Sequence, residues 1–221
     1  SSSVMEQELG EKETPVMDNI FHFIDVRPYI DASIREPRDL FEYLRSVSEV
    51  AGQDVVSKGK GAGSLESDET AGLDYRVTSG PQIEKHAPHL WDLYNNPDLI
   101  SMVSRVTGFD CKVSRHVDSG TNINDVRTGG RYEMHIDSSP YTLLMFGSNH
   151  PKGGALQVQV DKRWHVIQPH AGLGVLFDGS VTPHRVQPTP TRRFSVPMVF
   201  VPSGFDELAS RGGNLDGHMY G

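Results

Sequence analysis

Tyr132-Glu133-Met134-His135-Ile136-Asp137 places an imidazole and a carboxylate two residues apart in a segment that reads as a β-strand. Along a strand, positions i and i+2 share a face, so His135 and Asp137 can converge on one ion. Thr182-Pro183-His184-Arg185-Val186 follows some fifty residues later, and then Arg192-Arg193-Phe194-Ser195-Val196. His184 is placed to bring a third ligand from another strand of the same sheet.

Two neutral imidazoles and one carboxylate on one side of an ion leave its remaining positions free, which is the facial triad of non-heme Fe(II) sites. Zinc takes the same ligand types in tetrahedral hydrolytic sites, so the three ligands alone leave both metals open.

The surrounding chain is that of an ordinary globular protein. It has 221 residues, 36% hydrophobic and 23% charged, enough for one domain with a sizeable core. The 22 glycines and 14 prolines imply many turns, which suits a β-rich fold better than a helical bundle. A net charge of −8 argues against a nucleic-acid surface, and the lack of a long apolar run argues against a membrane span. Cys111 is the only cysteine, which excludes an internal disulfide and a thiolate cluster. Residues 1–10 have neither a basic start nor an apolar run, so the expected location is cytoplasmic.

Residues 1–19, acidic and without periodicity, read as a flexible N-terminal arm. An N-terminal strand and supporting helices then occupy 20–110. The strand is expected over 20–26, with His22 as a packed or edge histidine, and helices over 37–50, 83–94 and from Asn96 to a stop at Gly108. Residues 52–72, with a Gly-Lys-rich centre, read as a long flexible loop with the character of a lid, and they do not match a phosphate-loop pattern. His86 and His89 lack a third partner and read as surface residues.

From Lys112 the chain turns to short strands, expected over 112–117, 131–137, 141–146, 155–160, 164–168, 174–177, 184–187 and 194–201. Turns at 128–130, 152–154, 161–163 and 178–180 separate them. Eight short strands at this spacing predict a jelly-roll core over 111–202, followed by a tail over 203–221. The expected fold is mainly β with flanking helices around a double-stranded β-helix of cupin type, a single domain overall. His150, His165 and His170 read as structural or exposed.

The ordered set Gly129-x-x-Tyr132-Glu133-x-His135-x-Asp137, Gly153-Gly154-Ala155-Leu156, Pro169-x-Ala171-Gly172, Phe177, His184-x-Val186-x-Pro188 and Arg193 resembles the Fe(II)/2-oxoglutarate-dependent dioxygenase superfamily, in its prolyl-4-hydroxylase-like branch. The resemblance covers residues 126–201. It implies that His135, Asp137 and His184 bind Fe(II) and are the catalytic residues. It also implies that Arg193, nine positions after His184, pairs with the far carboxylate of 2-oxoglutarate, a task its planar fork suits. Ser195, on the same strand face, is expected to add a hydrogen bond, while Arg192 faces away. The branch often carries a tyrosine near the position of Val126; Arg127, Tyr132 and Thr142 are the candidates to stand in for it. Ser138, Ser139, Arg131 and Trp164 are candidate substrate contacts, with Trp164 also read as core.

The implied cofactor is Fe(2+), with 2-oxoglutarate and O2 as cosubstrates and ascorbate as an in-vitro activator. The implied activity is oxidative decarboxylation of 2-oxoglutarate to succinate and CO2, coupled to C–H oxidation of a small molecule such as an amino acid or biosynthetic intermediate. The carboxylate of Asp137, where related halogenases carry Gly or Ala, favours hydroxylation over halogenation. Alternatives are a prolyl-type protein hydroxylase, a desaturase or cyclase, and a non-catalytic jelly-roll metal-binding or sensor domain.

Overall fold

The computed structural model describes residues 20–58, 65, 72–116, 118–130 and 132–207, excepting the side chains at 58, 72, 73, 132 and 133. In chain order the elements are β1 (Phe21–Asp25), two 3-10 turns, α1 (Pro37–Ala51), β2 (Gln53–Lys58), β3 (Gly72–Thr78), α2 (Gly80–His86), α3 (Pro88–Tyr94), α4 (Pro97–Thr107) and β4 (Cys111–Val113). Then come β5 (Ile123–Val126), β6 (Tyr132–His135), β7 (Tyr141–Phe146), β8 (Leu156–Val160), β9 (Arg163–Ile167), β10 (Leu173–Asp178), β11 (His184–Val186) and β12 (Arg193–Pro202).

The strands form one antiparallel ladder in the order β1-β10-β7-β12-β5-β3-β6-β11-β8-β9, with β2 on β3 and β4 on β12. The ladder folds back on itself, since Phe21 of β1 meets His165 of β9 with ring centroids 5.3 Å apart. The side chains enclosed come from both halves: Leu144, Phe146, Val175 and Phe177 from one, Leu156, Val158 and Ile167 from the other. This is the double-stranded β-helix expected.

The opposite face of the broad half carries a second core. Phe194, Val196, Met198 and Phe200 of β12 and Leu143 and Met145 of β7 pack against Leu40, Leu44, Ile83, Leu90, Leu99 and Val103 of the helices. Each such leucine taken out of water contributes about 1.5–3 kcal/mol. In α1, Leu40, Leu44 and Val47 recur at helical spacing and are buried, and Pro37 suits the first turn because its missing N–H would be unbonded there anyway. In α4, the Asn96 side chain accepts from the amides of Asp98 and Leu99, and Gly108 ends the helix at φ +77°.

The structure differs from the sequence expectation at several points, and strands β3 and β5 were not among those expected. Residues 83–94 are two helices, because Pro88 has no N–H to continue the ladder and pushes Ala87 to φ −132°, ψ 66°. Residues 53–58 are a strand, β2, paired residue for residue with β3, where a loop over 52–72 was expected. Among the rest of that stretch Leu65 is described, and its amide donates to the Met134 carbonyl at 2.9 Å; the centre of the expected loop lies outside the described residues. At the other end of the chain Glu207 is buried, its carboxylate accepting from the Ser114 hydroxyl at 2.6 Å and the Arg115 amide at 2.8 Å. The expected arm over 1–19 and the tail beyond residue 207 lie outside the described residues.

Candidate metal centre and anion site

His135 of β6 and His184 of β11 are direct cross-strand partners, so their side chains leave the sheet on one face. Their ring centroids are 4.1 Å apart. Asp137 lies two residues past His135, just beyond the strand end, and its two carboxylate oxygens reach the Nε2 atoms of His135 at 3.3 Å and His184 at 3.4 Å. The three ligand atoms lie within 4.8 Å of one another, a donor set of two imidazoles and one carboxylate. Such a set fits a divalent ion with open positions.

The neighbouring atoms orient these ligands. The Nδ1–H of His184 donates to the Thr182 carbonyl at 2.8 Å, which leaves the Nε2 lone pair directed at the site. The Thr142 hydroxyl donates to Asp137 at 3.3 Å. The Asp137 amide donates to the Gly179 carbonyl at 2.7 Å. Gly179 belongs to a turn held by Asp178, whose carboxylate accepts from the Ser180 amide and hydroxyl at 2.9 and 2.6 Å. A Cβ at Gly179 would collide with the Asp137 carboxylate. Burial opposes ionisation of Asp137, but the His184 and His135 imidazoles more than offset it and hold the carboxyl well below the usual range.

Arg193 is fully buried on the inward face of β12. Its Nε donates to the Gly154 carbonyl at 2.7 Å, its Nη1 reaches Ser195 Oγ at 3.4 Å, and its guanidinium carbon lies 5.7 Å from the Phe146 ring centre. Nη2 is buried with no partner among the described residues. Burial brings the guanidinium down to about 10, so the residue stays a cation at neutral pH, with no counter-charge among the described residues. A buried, unpaired cation with one unmet donor is the complement of a carboxylate. This fits the far end of an oxo-diacid.

A cavity of about 800 Å³, its mouth included, joins the triad to Ser195. Thr142, Ser138 and Ser139 line it, with Leu144, Leu156, Phe177, Pro197 and Val199 as apolar wall. Thr142 sits against the Asp137 carboxylate, and Phe146, four residues along the same strand, is the residue beside Arg193.

Two sequence candidates are placed elsewhere. Arg127 is exposed, pairs with Asp54 and borders a shallow surface recess with Arg76, Asp125 and Arg192, on the sheet face opposite the cavity. Trp164 lies on β9 under the Arg185 guanidinium, 5.2 Å away and 40% exposed, so it is neither core nor cavity wall. The side chains of Arg131 and Tyr132 lie outside the described residues. Arg192 faces away as expected and gives a bidentate pair to the buried Asp125, at 3.0 and 2.7 Å.

The sequence reading missed Asn122 and Asn124, which line the cavity from β5 and the residue before it. Their i, i+2 spacing beside Val126 was the available signal. His150, read from the sequence as structural or exposed, is buried and close enough to Arg193 to feel its charge. The Ser148 hydroxyl accepts from the Phe194 amide at 3.0 Å and shares a hydrogen bond with His150 Nε2 at 2.7 Å, while His150 Nδ1 shares one with Thr191 Oγ1 at 3.1 Å. A neutral imidazole is thereby tied into the backbone next to Arg193.

Comparison of the fold gives matches to several solved structures. A 2OG-Fe(II) oxygenase family oxidoreductase from Burkholderia pseudomallei has a TM-score of 0.60 and 13% identity over 82% of this chain and 85% of that one. A Trichoplax adhaerens prolyl hydroxylase in complex with a hypoxia-inducible-factor peptide fragment scores 0.61 at 16% identity, over 88% of each chain. The α-ketoglutarate-dependent epimerase SnoN from nogalamycin biosynthesis scores 0.57 at 13% identity, over 84% of this chain and 79% of that one. No protein-family model and no curated protein sequence matches. The chain thus has the fold of the non-heme iron 2-oxoglutarate oxygenases, reached at low sequence identity.

Proposed function

We propose that this protein is an Fe(II)- and 2-oxoglutarate-dependent oxygenase acting on a small molecule. The observation that carries the reading is the buried Arg193, its Nη2 unmet, on the inner wall that leads past Ser195 to the His135–Asp137–His184 group. A hydrolytic zinc site needs no buried cation beside its ligands; a chelating oxo-diacid does.

On this reading His135, Asp137 and His184 hold Fe(II), and Arg193 and Ser195 hold the far carboxylate of 2-oxoglutarate. When bound, the iron supplies the activation of O2 coupled to decarboxylation of the oxo-acid. The chain supplies position. Gly154 and Phe146 fix the Arg193 guanidinium, which would anchor the far carboxylate of a bound oxo-acid. Thr142 and the Gly179 carbonyl fix Asp137, and Thr182 fixes the His184 tautomer. The wall of Leu144, Leu156 and Phe177 keeps bulk water from the reacting centre.

The solved structures of this fold include both a prolyl hydroxylase bound to a peptide and an epimerase from antibiotic biosynthesis. We favour a small substrate because the described residues offer a cavity rather than an extended groove at the triad. Hydroxylation is the favoured outcome, since Asp137 fills the position a halide would need.

Anaerobic addition of Fe(II) and then 2-oxoglutarate tests the reading. A charge-transfer band in the visible should appear with both present and be lost in His135→Ala and Arg193→Ala. A spectrum with no band, together with no succinate in air across a substrate library, overturns it.

A further inference from the structure

Strand β10 ends at Asp178 and β11 begins at His184, and the turn between them touches two of the three metal-group residues. The Gly179 carbonyl accepts the Asp137 amide at 2.7 Å, and the Thr182 carbonyl accepts the His184 Nδ1–H at 2.8 Å. Asp137 follows β6 and His184 opens β11, so one turn holds side chains brought by two strands. Gly179 also gives its own N–H to the Pro140 carbonyl at 2.8 Å, which clasps the segment 137–140 from both directions. The Pro183 carbonyl, next in line, accepts the Gln159 amide of β8 at 2.9 Å. His135 is set differently, by its place in β6.

Asp178 closes this turn twice. Its backbone carbonyl accepts the Thr182 amide at 3.0 Å and the Val181 amide at 3.4 Å, and its side-chain Oδ1 accepts the Ser180 amide and hydroxyl at 2.9 and 2.6 Å. An aspartate suits that task, since its short side chain can take the amide two residues on. The residue is fully buried at the end of an apolar strand, cross-strand from Tyr141, and Oδ2 finds no partner among the described residues. A carboxyl buried with one oxygen unmet costs stability. Its contribution lies in what Oδ1 holds: without that oxygen the Ser180 end of the turn is free to move, and the Gly179 and Thr182 carbonyls lose their fixed separation. We infer that Asp178 is a positioning residue of the metal site, which sets the Asp137 carboxylate and the His184 tautomer together through this turn. The inference rests on the metal-binding half of the oxygenase reading and names no cosubstrate contact.

The test compares Asp178→Ala, which removes Oδ1, with Asp178→Asn, which keeps it, in the full chain. Mn(II) affinity by electron paramagnetic resonance should fall about tenfold or more in the alanine variant and stay within about threefold of wild type in the asparagine variant. The second readout needs no metal: two-bond nitrogen–proton correlation spectra of the metal-free chain, at a pH above the titration of its imidazoles. His184 should be the Nδ1–H tautomer in wild type and Asp178→Asn, and a mixture of tautomers in Asp178→Ala. A residue that only ended β10 would lower the melting temperature and leave that tautomer alone. If Asp178→Ala fails to fold, as judged by thermal unfolding, Ser180→Ala takes its place. It removes only the 2.6 Å hydroxyl contact and should lower Mn(II) affinity about two- to tenfold, with the same tautomer shift.

Mn(II) affinity or the His184 tautomer unmoved in Asp178→Ala, or in Ser180→Ala where it stands in, overturns the assignment. An asparagine variant as damaged as the alanine one also overturns it, since the effect would then lie in the charge and not in the turn. The oxygenase reading falls separately: a wild type that binds Mn(II) but gives no charge-transfer band with Fe(II) and 2-oxoglutarate sinks that reading and leaves the outcomes above to decide this one. A wild type that binds neither Mn(II) nor Fe(II) overturns both.

Discussion

The Arg193 Nε–H donates to the Gly154 carbonyl oxygen at 2.7 Å, and this one bond aims a fully buried cation into the barrel. The geometry leaves Nη2 for a ligand. Replacing Arg193 by Gln should weaken 2-oxoglutarate binding by about 1.5–3 kcal/mol, roughly ten- to more than a hundredfold, in a calorimetric titration.

The same residue predicts an inverse effect on stability. Without an anion, Arg193 is an uncompensated charge among Phe146 and its apolar neighbours. Arg193→Met should therefore raise the melting temperature of the ligand-free protein by about 2–4 °C per kcal/mol recovered. It should also abolish the rise that 2-oxoglutarate gives to the wild type. A lower ligand-free melting point in the variant would argue that a group of the protein already balances the charge.

His150 should make the fold acid-sensitive. Burial, helped by the charge of Arg193, brings its imidazole down from 6.5 to about 4. Between those two values the unfolded chain binds a proton that the folded chain refuses, so this contribution to stability is complete above pH 6.5 and shrinks as pH falls towards 4. Urea unfolding at pH 7 and pH 5 should differ by about 2 kcal/mol from this residue, and His150→Gln should remove that part of the difference.

Gly179→Ala should damage the metal site and spare the fold. The added methyl would push on the Asp137 carboxylate, not on either core. Mn(II) affinity by electron paramagnetic resonance should fall about tenfold or more, with the far-ultraviolet dichroism unchanged.

On the other face of the sheet, Asp125→Ala should cost about 2–3 kcal/mol in urea unfolding. It leaves the Arg192 guanidinium with the more distant Glu49 carboxylate, at 3.5 Å, and strands the Ser48 hydroxyl, which donates to Asp125 at 2.7 Å. The figure lies at or below the low end for a broken buried pair because Arg192 is a third exposed.

The His135-x-Asp137 spacing, His184 and Arg193 were legible because strand alternation and residue chemistry agree at those positions, and the structure brings the first three together and buries the fourth. Strand β7 was read to the residue for a similar reason: six buried residues between two turns leave little choice. The asparagines were not legible. Polar residues facing inward on β5 break the apolar alternation by which a strand is recognised, and they do so because they face a cavity. Strands β2 and β3 were hidden by the glycine-rich stretch between them, although Tyr75 and Val77 alternate properly and are buried. Arg127 follows the inward Val126, so strand alternation turns its side chain to Asp54 on the outer face.

Strand β12 divides its labour by parity. Phe194, Val196, Met198 and Phe200 hold the helices, while Ser195, Pro197 and Val199 line the cavity and Arg193 is buried on their side of the strand. A mutational library confined to positions 197 and 199 would therefore search new substrate shapes without disturbing the scaffold that keeps the barrel folded. Evolution has had the same freedom, which is one physical reason a fold like this can change its chemistry's target while its sequence drifts almost beyond recognition.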